Sequence, residues 1–323
     1  MLGTGKSFRT SKEGDLIKHG LAVASISGET QMLAGTVRLS CTITSSARGI
    51  RKVYTLNGEP VRYAKFLGSA KVVTFAPSDL QLVTGPPAAR RAMLNTALSQ
   101  DQPLYYSHLA RYQKAVTQKA ALLRGAIDPD PDLLSIYDQA LIDAGTALML
   151  ARVQFVAALD ARAQSVYRGW VGGSERLALD YEPSIPIDTP TPDAVAAAFA
   201  ARLAALKDAE AARKMCIAGP HRDDLAFTLN GRSLAAFGSQ GQQRMAVLAL
   251  KVAEYIVMHD RSGEAPLLFL DDVLSELDHH RARAFLAGVG GYEQAFMTAT
   301  ALPRDLPAAT EYRVAGATLG RIA

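Results

Sequence analysis

Apolar residues recur along this chain with two different periods. Met245, Leu248, Val252, Tyr255 and Ile256 return at helical spacing and predict one buried helix face. Residues 267–270 are instead an unbroken apolar run, the pattern of a strand buried on both faces of a parallel sheet. Nearer the N-terminus, residues 21–27, 36–44 and 52–56 show partial alternation with β-branched residues and predict strands. Asn57-Gly58 has the chemistry of a type I′ hairpin turn, and Asn230-Gly231 repeats it. Further strands are expected at 71–75, 177–181, 225–229, 295–298 and 312–314.

Between these β-rich stretches the texture changes. Residues 90–99, 105–124 and 133–168 are rich in Ala and Leu and predict long helices, with Asp128-Pro-Asp-Pro-Asp132 as a break. Thr191-Pro-Asp193 starts another, with proline near its first turn, running to about Lys214. The pattern has no sustained a/d heptad, so no coiled coil is expected. Residues 8–20 read as a polar, basic loop with a short helical turn. The chain thus divides into a β-rich segment, 1–77, a helical segment, 78–215, and a mixed segment, 216–323.

Two phosphate-handling parts stand out in the last segment. Ser239 can cap the helix that follows, and Gln242 three residues on completes a Ser-x-x-Gln capping box. Gly241 lets a ligand approach the backbone, and the free N–H groups of a helix start favour anions. The second part is Asp271-Asp272 at the C-terminal end of the apolar strand, where open α/β sheets bind ligands. Asp271 there suits Mg²⁺ beside nucleotide phosphates, and Asp272 is placed to orient or deprotonate a water. An ordinary capped helix, and a strand ending in a polar turn with Asp278 capping the next helix, are the ligand-free alternatives.

Composition adds limits. Of the 323 residues 49% are hydrophobic and 20% charged, a soluble globular balance long enough for about two domains. A net charge of +4 is compatible with polyanion binding without requiring it. Cys41 and Cys216 have no metal-ligand spacing and read as small buried hydrophobes. No signal segment opens the chain and no apolar run is expected to span a membrane, so a cytoplasmic protein is expected.

Ser239-Gln-Gly-Gln-Gln-Arg244 followed by Leu-Leu-Phe-Leu-Asp-Asp-Val-Leu-Ser-Glu-Leu-Asp278 resembles the RecF family of bacterial DNA-repair ATPases. Gly5-Lys-Ser-Phe-Arg-Thr-Ser11, Phe75-Ala-Pro-Ser-Asp-Leu-Gln-Leu-Val83 and Gly219-Pro-His-Arg-Asp-Asp224 match it too, so the resemblance covers nearly the whole chain. It implies an α/β, ABC-type ATPase head of the P-loop class in two segments, 1–77 and 216–323, with an inserted all-helical arm. It also implies ATP and Mg²⁺ as cofactors and an ATP-dependent homodimer. Ser239, Gln240, Gly241, Gln242 and Gln243 would bind nucleotide, Asp271 would hold the metal, and Asp272 would act on the attacking water. The implied function is binding at single-strand gaps and junctions in DNA, and loading of RecA with RecO and RecR. Gly5-Lys6-Ser7 looks like the end of a phosphate loop, but the loop's first glycine would precede Met1. Lys6 is therefore not expected to be a phosphate-loop lysine, and the Walker A cradle is expected to be missing. That leaves weak ATPase activity uncertain, and an ATP-incompetent DNA-binding or scaffolding remnant is the alternative. The family's threonine run ending in Asp reads Thr298-Ala-Thr300-Ala-Leu here, which puts a sensing role in doubt.

Other candidates are less specific. Lys6, Arg9 and Lys12 could contact DNA phosphates, or lie on an exposed loop. Arg90-Arg91, Arg111, Lys114 and Lys119 could form a basic face on the helical segment or ordinary helix exterior. Tyr105, Tyr106 and Tyr112 are expected to pack rather than stack on bases. His221-Arg222-Asp223-Asp224 could be a metal or catalytic group, or a solvated turn with internal ion pairs.

Overall fold

The computed structural model describes all residues except 8–9, 11, 126–128, 174, 274–281, 284, 286–291, 301–308, 316–317 and 323. An antiparallel meander opens the chain: β1 (Val23–Met32), β2 (Gly35–Ser46), β3 (Gly49–Leu56) and β4 (Glu59–Val61). Its two-residue period shows directly in β2, where Leu39, Cys41 and Ile43 are buried. The other face is laced by hydroxyls, with Ser25 Oγ 3.1 Å from Thr42 Oγ1 and Ser40 Oγ 2.6 Å from Thr55 Oγ1. Asn57 and Gly58 both take positive φ (53° and 88°), as a type I′ turn requires.

The short helix α1 (Tyr63–Phe66) leads to β5 (Val72–Phe75), and α2 (Gln81–Thr84) follows. Then come α3 (Pro87–Asp101), α4 (Pro103–Gly125) and α5 (Pro131–Val171). Proline opens each of these three, its fixed φ suiting a first turn whose N–H lacks a partner anyway. Asp130 caps α5 by accepting from Asp132 N at 2.9 Å, and Gly172 ends it in the left-handed conformation at φ 62°. The 41 residues of α5 make a rod of about 60 Å. Against expectation, α5 is long and apolar enough to cross a membrane by length and composition. More than half of that stretch is buried inside the protein, where it packs on α4 and on elements that follow it in the chain.

After α5 come β6 (Leu177–Glu182), α6 (Pro192–Arg213), β7 (Asp224–Leu229), β8 (Arg232–Ser233) and α7 (Leu234–Phe237). β6 pairs antiparallel with β7, Leu177 opposite Leu229, so the end of the helical segment is stitched to the start of the next. The long helix α8 (Gln240–Ser262) packs against α5. One hydrophobic core runs from Val73 through these helices to Phe285.

β9 (Leu267–Asp271) and β10 (Ala295–Thr298) complete a parallel sheet in the order β10-β9-β5. β9 does not bury both faces as its apolar run suggested. Leu268 and Leu270 lie in the core, whereas Phe269 points to the other face and stacks on half-exposed Phe296, ring centroids 4.9 Å apart. The hairpin β11 (Tyr312–Ala315) and β12 (Thr318–Arg321) closes the chain.

Candidate functional site

The rim of the parallel sheet places Asp271 and Asp272 where the sequence put them. Leu267 pairs with Val72 and Leu270 with Phe75, so β9 runs past the end of β5 by one residue, Asp271. On the other side Thr298 pairs with Asp271. Thr298 Oγ1 donates to Asp271 Oδ1 at 2.7 Å. The Asp272 N–H donates to both the carbonyl oxygen and the hydroxyl of Thr298, each at 3.1 Å. Asp272 has φ 51°, a conformation non-glycine residues adopt at a cost. Asp278 lies outside the described residues.

The capping box at the start of α8 is present on both sides. Ser239 Oγ accepts from Gln242 N at 3.2 Å, and Gln242 Oε1 accepts from Ser239 N at 2.9 Å. Gln242 Nε2 donates to Glu175 Oε1 at 2.7 Å, and the Tyr167 hydroxyl donates to Glu175 Oε2 at 2.8 Å. Both ends of the Gln242 amide therefore hold the helix tip. Gln243 turns inward, where its amide reaches the carbonyl oxygens of Leu234 at 3.1 Å and Gly238 at 3.3 Å. Ser239 and Gln240 are exposed and Gly241 half-buried, so the tip presents the first-turn backbone N–H groups of Gln240 and Gly241 beside the serine hydroxyl.

The tip and the carboxylates are set apart within the chain. Lys251 and Glu254, further along α8, line a cavity of about 350 Å³ with Thr74, Ala76 and Asp79 beside β5. Ser239 lies about 18–22 Å along the helix axis from that level. Lys251 and Glu254 form a buried ion pair off the face that the periodicity marked as apolar, because α8 is enclosed on nearly every side. Burial works against the Lys251 ammonium, but Glu254 and Asp79 outweigh it and raise its pKa. Their signal was visible as two charges three apart inside an apolar run.

His221-Arg222-Asp223-Asp224 is not a solvated turn. Asp223 is buried and accepts from Arg152 Nη1 at 3.0 Å, from Ser184 N at 2.9 Å and from the Tyr181 hydroxyl. Arg152 also reaches Pro220 O at 2.7 Å and Asn95 Oδ1 at 3.0 Å. Asp224 takes a two-pronged bond from Arg90, at 2.6 and 2.8 Å, and that guanidinium holds its carboxyl below the usual range against the opposing effect of burial. The group is an internal clamp joining α3, α5, β6 and β7, and among the described residues no set of three His, Cys, Asp or Glu side chains could hold a metal.

Much of the expected basic face is absent for the same reason. Arg90 is buried in its pair with Asp224, and Lys119 is buried between Glu210 and Asp138, both at 2.5 Å. Arg111 and Lys114 are exposed. Tyr105 and Tyr112 are core residues. Lys6 and Lys12 are exposed, and Lys6 borders the cavity beside β5; Arg9 lies outside the described residues.

No protein-family model matches the chain. Curated relatives do. It is 39% identical over 326 residues to the DNA replication and repair protein RecF of Thermosynechococcus vestitus, covering 100% of this chain and 85% of that one. It is 36% identical over 303 residues to RecF of Listeria welshimeri, covering 93% and 81%. The chain belongs to the RecF family. A solved RecF with ATP, described as a recombination mediator of the RecFOR pathway, superposes with a TM-score of 0.90 at 25% identity over 100% of this chain and 86% of that one. A second RecF structure, with ATPrS, gives 0.89. The fold is accordingly the ABC-type ATPase fold of RecF, α/β in class. The residues present suit a RecF nucleotide site in part: Mg²⁺ is usually held by one or two carboxylates together with substrate phosphates, a donor set that Asp271 fits.

Proposed function

We propose that this chain is an ATP-dependent DNA-binding protein of recombinational repair and replication restart. In this reading it binds single-strand gaps and single-strand/double-strand junctions, and assists RecA loading with RecO and RecR. What supports it is the family membership together with one structural pairing. A carboxylate pair stands at the rim of a parallel sheet, and an anion-attracting helix tip projects from the far end of α8.

Because tip and rim are set apart along α8, the reading assigns them to opposite sides of one nucleotide in a homodimer. Ser239, Gln240 and Gly241 of one copy face the terminal phosphate, while Gln242 and Gln243 hold the tip in shape. Asp271 of the other copy holds Mg²⁺, which when bound neutralises phosphate charge, and Asp272 orients the attacking water. Nucleotide then shifts the pair toward the closed state through contacts it makes only there. The segments 1–77 and 216–323 form the head, and 78–215 the arm. Lys6, Arg9 and Lys12 contact DNA phosphates, so affinity falls steeply with salt.

The test is titration of a fluorescent ATP analogue with Mg²⁺ against the purified chain, with Asp271→Asn as control, alongside gapped-duplex binding with and without nucleotide. Saturable Mg²⁺-dependent binding that Asp271→Asn weakens, with tighter gapped-DNA binding, is expected. No nucleotide binding with DNA binding intact overturns this reading in favour of a nucleotide-independent DNA-binding protein.

A further inference from the structure

We infer that Thr298 is a positioning residue for Asp271, setting the orientation of the carboxylate that receives the cation. The inference rests on the reading of Asp271 as a metal ligand. Its physical basis lies in how one hydroxyl is shared. Thr298 Oγ1 accepts from the Asp272 N–H at 3.1 Å, which fixes the side chain's rotamer. A hydroxyl carries a single proton, and with that rotamer fixed the proton is aimed at Asp271 Oδ1, 2.7 Å away.

The consequence is a relay from one strand to the next. The Asp272 amide polarises the Thr298 hydroxyl, and the hydroxyl grips one oxygen of Asp271, which stops the carboxylate turning about its Cβ–Cγ bond. The same two bonds to Thr298, one from its carbonyl and one from its hydroxyl, hold Asp272 at φ 51°. One threonine thus braces both acidic residues, while the rest of the Thr298-Ala-Thr300-Ala-Leu segment departs from the family's threonine run. Valine at this position keeps the shape and removes only the hydroxyl. Because Thr298 is exposed, the change opens no cavity.

The experiment measures binding rather than turnover. A fluorescent ATP analogue at fixed concentration is mixed with the intact chain, and Mg²⁺ is titrated to find the concentration giving half-maximal binding. Partners that orient a metal ligand typically carry 10–100-fold in metal affinity, so Thr298→Val is expected to raise that midpoint by about that factor. Thr298→Ser, which keeps the hydroxyl, is expected to stay within about twofold of the parent. The thermal midpoint of each variant without Mg²⁺ is expected to fall by no more than the loss of exposed hydrogen bonds implies, whereas a purely structural role would lower it without moving the Mg²⁺ midpoint. If Thr298→Val fails to fold, Thr298→Ala carries the same expectation. A midpoint unchanged in Thr298→Val but raised in Asp271→Asn overturns the inference alone. A midpoint unchanged in both, or no Mg²⁺-dependent binding by the parent, overturns the reading of Asp271 and the inference with it.

Discussion

Arg152 Nη1 and Asp223 Oδ2 lie 3.0 Å apart with side chains only 2% and 1% exposed. An ion pair so enclosed survives because its other polar groups find partners, here Asn95, Tyr105, Tyr181, Ser184 and a backbone carbonyl. Removing one partner strands the other in the core. Asp223→Asn is expected to cost roughly 3–5 kcal/mol of unfolding free energy, and Tyr181→Phe roughly 1–3. Urea denaturation measures both. A loss under about 1 kcal/mol for Asp223→Asn would show that the clamp does not hold the helical segment to β7.

His221 sits in the same loop and gives the molecule a pH dependence. Its Nε2 faces the Cys216 carbonyl oxygen at 3.1 Å, an acceptor only, so the proton sits there and Nδ1 accepts from the Tyr112 hydroxyl at 2.6 Å. Burial lowers its pKa below 6.5, Arg222 lowers it further, and the Cys216 carbonyl, Asp223 and Glu210 oppose. A base whose folded pKa is depressed binds fewer protons folded than unfolded. Its contribution is complete above 6.5 and is lost as pH falls through that value toward the folded one. Unfolding free energy measured from pH 8 to pH 5 should therefore fall with acid, and His221→Gln should flatten the slope. An equal slope in both proteins would assign the effect to other groups.

Gly145 lies in the middle of α5, and a methyl group there would collide with the Phe199 ring of α6. Two effects compete. Alanine gains about 1 kcal/mol of helix propensity, while overpacking a core costs typically about 1–3 kcal/mol. The ring is fully buried and has no room to retreat, so Gly145→Ala is expected to destabilise by about 1–2 kcal/mol. Combining it with Phe199→Leu should recover part of the loss in the same denaturation assay. A stabilised Gly145→Ala would mean that α6 slides on α5 freely.

Which features were legible in the sequence follows from how local their causes are. Asn57-Gly58 and Asn230-Gly231 announced their turns because two consecutive positive φ values are a property of those residues themselves. The Ser239–Gln242 box spans three residues and was equally readable. Long-range pairing was not. Arg90 and Asp224 are 134 residues apart, and Lys119 and Glu210 are 91 apart, so charges that look like a basic helix face turn out to be internal clamps. Phe269 misled for a related reason: an apolar run shows that both faces of a strand tolerate burial, while its neighbours decide how far each is covered. At the candidate site, the acidic pair was legible as a motif, but its bracing by Thr298 depends on a parallel register set 27 residues later.

Glu175 ties the end of α5 to the start of α8, accepting from Tyr167 with one oxygen and from Gln242 with the other. The carboxylate thereby lies near a helix N-terminus, where negative charge is favourable by about 0.3–1 kcal/mol. It also fixes the Gln242 amide so that the opposite end can hold the Ser239 N–H. Ser239→Ala removes the cap itself and should cost about 1 kcal/mol. Glu175→Ala leaves Ser239 in place but frees Gln242 to rotate, so its cost in stability should be of the same order, about 1 kcal/mol. Its larger effect is expected on the tip's shape. If the tip closes on a partner's nucleotide, Glu175→Ala should weaken Mg²⁺-ATP-induced dimerisation several-fold in sedimentation velocity, with nucleotide-free DNA binding unchanged. Dimerisation equal to the parent's would show that the capping box holds the tip unaided.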